Sequence, residues 1–169
     1  MTHFMYTASV PVLAQMLGAL RGVLRTAAEH AEAHKIEPDA LLSARLYPDM
    51  FALRRQVQIA SDFARGIAAR LADVEVPSVA DEETSFDDLQ ARIANTLAFI
   101  NALPAERFEG AEGREVVVQP GKPRERRFAG QAYLLSYGLP QFFFHVTTAY
   151  SILRHNGVPI GKRDYMGAY

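Results

Sequence analysis

The 169-residue chain contains no cysteine. That removes disulfides, thiolate metal sites and cysteine nucleophiles at once, and it is compatible with a reducing cytoplasm. It also lacks charge of one sign. With 18 basic against 19 acidic side chains the net charge is -1, too small for a broad field attracting nucleic acid or anionic lipid. No window holds 18 consecutive apolar residues, which predicts no transmembrane helix and no membrane partner. The N-terminal stretch MTHFMYTASVPVLAQML has no basic region ahead of its apolar residues, and Pro11 and Gln15 interrupt it. It does not read as a signal peptide. The expectation is a soluble cytoplasmic protein forming one domain over residues 1–169.

What is present is helical periodicity. Leu13, Met16, Leu17, Leu20, Leu24, Ala27 and Ala31 recur at spacings of three and four, predicting a first helix over about 10–34 with Ser9 as its cap and Pro11 in its first turn. A second stripe (Met50, Leu53, Val57, Ala60, Ala64, Ile67, Leu71) predicts a helix over about 48–72 starting at Pro48. The acidic DVEVPSVADEETS follows as a surface connection. Ser85 with Asp88 has capping-box spacing ahead of a third stripe, Phe86, Leu89, Ile93, Leu97 and Ile100, which Pro104 ends. EVVVQ, PGKP and RERRF read as a hairpin. A last helix over about 140–156 stops at Gly157. The fold class is all-α: a four-helix bundle of the up-down kind with a small β-hairpin between helices 3 and 4.

In the stretch QFFFHVTTAYSILRHNG, one histidine interrupts an apolar pattern. At about 100° per residue, His145 shares a face with Phe142, Val146, Ala149, Ile152 and Leu153, so the imidazole is expected inside the bundle. Asp49 and Gln56, seven apart, are expected to stack on one side of the second helix. Inward polar groups need partners, which predicts either a buried hydrogen-bond network or a polar pocket where these residues meet. His145 and Asp49 are the candidate catalytic groups. Gln56, Gln141, Tyr150 and Arg154 are candidate ligand contacts, with Tyr150 and Arg154 at a rim. Arg45, four residues before Asp49, is an alternative ion-pair partner that would make Asp49 structural. His30 and His34 have metal-ligand spacing on a polar helix end but no third ligand, KPRERR sits on the hairpin tip, and GVPIGK lacks the spacing and context of a P-loop. The apolar residues Phe143, Phe144 and Tyr150 make the last helix hydrophobic on more than one side, which predicts a homodimer.

Two motifs, RLYPDMFALRRQVQIASDFA and LPQFFFHVTTAYSILRHNGVPIGKRDYMG, make the chain resemble a bacterial and fungal domain-of-unknown-function family grouped with the DinB-like four-helix superfamily. The resemblance implies a DinB-like bundle. It also implies comparison with a metal site of three histidines, one from the second helix and two four apart on the last. His145 matches the second of that last pair, Gln141 falls at the first, and the second helix offers no histidine. A divalent ion, zinc or nickel, would have His145 as its one imidazole ligand. The functional expectation is a small-molecule enzyme or binding protein with a polar pocket around His145. The alternative is a non-catalytic dimeric bundle in which the same residues form a structural network.

Overall fold

The computed structural model describes residues 4–169, and the first three residues of the N-terminal stretch lie outside that range. Short helices α1 (Phe4–Thr7) and α3 (Pro38–Leu42) flank the long α2 (Val10–Ala33). Then come α4 (Leu53–Leu71), α5 (Phe86–Asn101) and a 3-10 turn at Ala105–Phe108. Strands β1 (Glu115–Val118) and β2 (Arg126–Ala129) pair antiparallel with Val116 opposite Phe128, which is the expected hairpin. α6 (Gly130–Ala132), a π-helical turn (Tyr133–Gly138) and α7 (Leu139–His155) form one continuous run, and α8 (Lys162–Met166) closes the chain.

The four long helices, α2, α4, α5 and α7, make the bundle. α4 packs against α5 and α7, and α2 packs against α5 and α7, so α2 and α4 lie across the diagonal from each other. Named contacts fix the directions. Asp62 meets Arg92 and Arg65 meets Thr96, so α4 and α5 are parallel. Gln56 meets His145 while Phe63 meets Tyr137, so α4 and α7 are antiparallel. Arg21 meets Gln90 while Tyr6 meets Phe108, so α2 and α5 are antiparallel as well. α2 and α7 therefore run one way and α4 and α5 the other. The four-helix class holds, while the order is up-down-down-up where the sequence predicts strict up-down alternation. Parallel neighbours need a return along their whole length. Residues 73–85 supply it as an extended strap, and 13 residues can span ~45 Å against the ~28 Å of a 19-residue helix.

Sequence chemistry explains most boundaries. Ser85 and Asp88 form the capping box: Asp88 N donates to Ser85 Oγ at 3.1 Å, and Ser85 N donates to Asp88 Oδ2 at 2.9 Å. Gly157, at φ +87°, takes the left-handed conformation that ends α7. Ser9 is a correction. Its hydroxyl donates backward to Met5 O at 2.5 Å, so it joins α1 to α2 and makes no side-chain cap. The last helix is another, because it starts about ten residues before Pro140. Pro140 lacks an N–H, and its ring would strike the carbonyl four residues back in a regular helix. The π turn directly before it widens the pairing and lets the run pass through. In that turn Gly138 sits so close to α4 that a Cβ there would lie 2.8 Å from Ile67 Cγ1.

Most of the predicted stripes form the core: Leu13, Leu17, Leu20 and Leu24 of α2, Val57, Ile67 and Leu71 of α4, Leu89 and Ile93 of α5, and Phe142, Ile152 and Leu153 of α7 are fully or almost fully buried. Met50, in the turn before α4, and Leu97 are only half-buried. Each large side chain of the fully buried set stabilises the fold by about 2 kcal/mol. Although Phe4–Ala33 has no unbroken apolar run of 18, it is long and apolar enough to cross a membrane by length and composition. Half of that apolar window is buried against the rest of the protein.

Candidate functional site

The site begins in the first turn of α4. The chain enters it extended at Ala52 (φ -67°, ψ 162°), leaving the Phe51 carbonyl unpaired by the helix. Gln56 fills that vacancy: its Nε2 donates to Phe51 O at 3.0 Å. With the amide nitrogen so used, Oε1 is the acceptor, and it lies 2.7 Å from Nδ1 of His145 on α7. The network assigns the proton to Nδ1, which leaves the lone pair on Nε2. Gln56 is 1% exposed and His145 8%. The Phe63 ring stacks on the imidazole at 5.9 Å and 17°, and Phe144 meets it edge-on at 5.2 Å and 90°. Burial, with a smaller contribution from the charge of Arg55, lowers the His145 pKa from 6.5 to about 4. The imidazole is neutral at pH 7, its tautomer set by an amide, and it can accept a hydrogen bond or take a proton weakly.

Asp49 does not join it. The second helix starts at Leu53 and not at Pro48, so Asp49 falls in an exposed turn closed by Met50 N donating to Tyr47 O at 3.0 Å. The helical spacing that would have stacked it under Gln56 is therefore missing. Arg45 does not pair with it either; its guanidinium donates to the carbonyls of Pro48 (3.3 Å) and Met50 (3.0 Å). Instead, Asp39 orders this approach, accepting from Arg54 at 2.5 Å and from Ser43 at 2.9 Å. Gln141 is half-buried one turn before His145. Tyr150 packs edge-on against Tyr165 of α8 at 5.7 Å, so this chain covers much of the ring expected to need a second subunit. Arg154 is exposed in the last turn of α7, where a cation suits the helix dipole. His34 Nδ1 lies 2.9 Å from His30 O on a solvated helix end.

A second polar cluster lies on the opposite flank of α4, and periodicity alone gave it no prominence. Arg92 of α5, 3% exposed, pairs with Asp62 (2.6 Å), Asp81 (2.9 Å) and Glu83 (2.7 Å), and donates to Ala80 O at 3.0 Å. Arg65, 5% exposed, pairs with Asp62 and donates to Thr96 Oγ1 at 3.2 Å. Gln58 donates to Glu83 at 2.7 Å, and Arg55 pairs with Asp81. Burial works to raise Glu83, but hydrogen bonds from Arg92 and Gln58 bring its pKa below the ordinary carboxylate value. The available signal was register: Arg92 lies beside Leu89, Ile93 and Thr96 on the buried stripe of α5. A groove of about 490 Å³ beside this cluster is lined by residues including Val79, Asn95 and Phe99, and its lining includes neither Gln56 nor His145.

Comparison with known proteins places this geometry. A family model described as a domain of unknown function (DUF1993) matches residues 5–166. The chain belongs to the DUF1993 family. A crystal structure of a DinB family member protein from Shewanella denitrificans is 37% identical, with 98% of this chain and 93% of that chain covered at a TM-score of 0.92. No curated protein matches the chain. The DinB-like bundle is thereby established for this DUF1993 member. A metal is associated with this fold in some of its members, but the donors present here do not fit one. Gln56 stands against His145 and uses its oxygen to accept the imidazole proton. Among the described residues no group of three or more His, Cys, Asp or Glu side chains could hold an ion. One imidazole nitrogen without an anionic or second imidazole partner is a poor site for zinc or nickel.

Proposed function

We propose that this DUF1993 member binds a small organic molecule at the seam between α4 and α7, with His145 as the polar anchor. The supporting observation is the chain from Phe51 O through Gln56 to His145 Nδ1. It holds a neutral imidazole in one tautomer and keeps Nε2 as an acceptor toward a hydroxyl or amide donor. Phe63 and Phe144 supply flat apolar surface on two sides of the ring, a usual composition for a ligand site. Chemistry at this position is limited to weak general-base assistance, because Asp49 stands away and a metal does not fit.

Native mass spectrometry of the untagged protein tests the reading. A small-molecule adduct that dissociates on denaturation and is absent from His145→Phe supports it. Stoichiometric zinc or nickel lost in the same variant would replace it with the superfamily's metal chemistry. Neither adduct nor metal, with His145→Phe only less stable, would leave the pair as a structural network. That second reading has its own support in the exposed side chains Leu46 (41%), Tyr47 (66%), Phe51 (56%) and Phe144 (54%), an apolar set that a second subunit would cover. Light scattering that finds a monomer across micromolar concentrations would remove the dimer.

A further inference from the structure

Arg55 belongs to both polar regions. It lies one residue before Gln56, and its Cζ is 5.9 Å from the centre of the Phe51 ring, whose carbonyl carries the Gln56 hydrogen bond. On its other side it pairs with Asp81 of the strap and donates to Gln58 Oε1 at 3.3 Å. The Arg55 and Asp81 side chains are 40% and 38% exposed. An ion pair this open to water is weak and exchanges partners readily.

The exchange leaves nothing stranded. Asp81 is also bound to Arg92 at 2.9 Å, so its carboxylate stays neutralised when Arg55 leaves. Arg92 cannot do the same, because it is 3% exposed and closed in by three carboxylates. The strap is also suited to yield. Among the described residues, 75–84 make no backbone–backbone hydrogen bond, and the segment is tied down by side-chain pairs to Arg55, Gln58 and Arg92.

We propose that Arg55 selects anions for the His145 site: Asp81 occupies its guanidinium at rest, and the carboxylate of a small-molecule ligand takes the place of Asp81. This rests on the small-molecule reading above and narrows its ligand class to carboxylic acids whose flat, apolar body lies against Phe51 and Phe144. Arg55 lies over the Phe51 ring, and the Phe51 carbonyl holds Gln56 against His145, so a ligand reaching both would have one charged contact and one neutral one. A fork of N–H groups matched to a carboxylate supplies the selectivity.

The test titrates 4-hydroxybenzoate, whose hydroxyl can donate to Nε2, and its uncharged counterpart 4-hydroxybenzamide, into protein carrying 15N-labelled histidine. The benzoate should shift the His145 Nε2 resonance and bind more tightly than the benzamide. Asp81→Asn, which removes the competing carboxylate charge, should tighten the benzoate by about fivefold. Arg55→Gln should weaken it by about tenfold or more. The benzamide should bind all three proteins alike. Equal affinity for the two probes, unchanged in Arg55→Gln, overturns the anion selection while leaving the ligand site standing. Binding of the benzoate that depends on Arg55 without moving His145 also overturns it, because the anion would then sit elsewhere. Neither probe moving His145 overturns the aromatic-carboxylate class, while the small-molecule reading stands or falls separately on the native mass spectrum.

Discussion

The two polar regions of α4 solve the same problem in opposite ways. Toward α7, Gln56 and His145 are buried without charge: desolvation keeps the imidazole neutral, and one amide satisfies it. Toward α5 and the strap, Arg65 and Arg92 are buried with their charge, because Asp62, Asp81 and Glu83 surround them. Histidine can shed its proton at modest cost, whereas a guanidinium cannot, so the arginines must bring carboxylates with them. On the proposed function, the neutral region is where a ligand binds. The charged one ties a chain segment, and its outermost member, Arg55, also lies over the Phe51 ring beside the entry to the neutral region.

The contrast predicts a ranked set of effects. Removing the charged centre should cost most: Arg92→Met leaves Asp62, Asp81 and Glu83 without their common partner, for a loss of about 3 kcal/mol or more in denaturant unfolding. Limited proteolysis should then cut within 73–85. Retained stability and a protected strap would show that the strap is held by something other than Arg92.

Next comes acid. The folded His145 pKa lies below its unfolded value, so the unfolded chain binds the proton first, and this contribution is full above about 6.5 and lost as pH falls toward about 4. The loss is about 2–3 kcal/mol. Glu83, also lowered, contributes above 4.5 and is lost below it, so the neutral region weakens in a higher pH window than the charged one. Unfolding midpoints followed from pH 7.5 to 3.5 should show the upper part of this slope, and His145→Phe should abolish it.

Gln56→Leu is a smaller break. It leaves the Nδ1–H of His145 and the Phe51 carbonyl without their partner, for about 2 kcal/mol. A wild-type midpoint would mean that the amide is not needed to satisfy the imidazole. Asp49→Asn should do least, within about 0.5 kcal/mol, with the histidine ring resonances unmoved. A shift of the His145 signals in that variant would bring Asp49 back to the pair.

Much of the bundle was legible because burial repeats with the helix. The spacing of Phe142, His145, Val146, Ala149, Ile152 and Leu153 is enough to put all six inside, and all six are buried. The inward placement of Gln56 was readable for the same reason, and Ser85 with Asp88 announces a helix start through local hydrogen bonds alone. Asp49 misled because Pro48 suits either a helix start or a turn. Leu53 N donates to Ala44 O, a contact across nine residues that no local pattern encodes, and the turn takes Asp49 out of the helix. Arg92 was overlooked because its carboxylates come from α4 and from a strap that reads as ordinary surface linker.

By itself, then, the sequence determined four amphipathic helices, the hairpin, most of the core and the inward face that carries His145, since each follows from the period of a hydrogen-bonded backbone and from the cost of exposing apolar surface. Only the tertiary structure decided that α4 and α5 run parallel, that a strap must return between them, and which partner each inward polar group finds. Those outcomes depend on the Coulomb and hydrogen-bond geometry of groups far apart in the chain, and they exist only once the helices have packed.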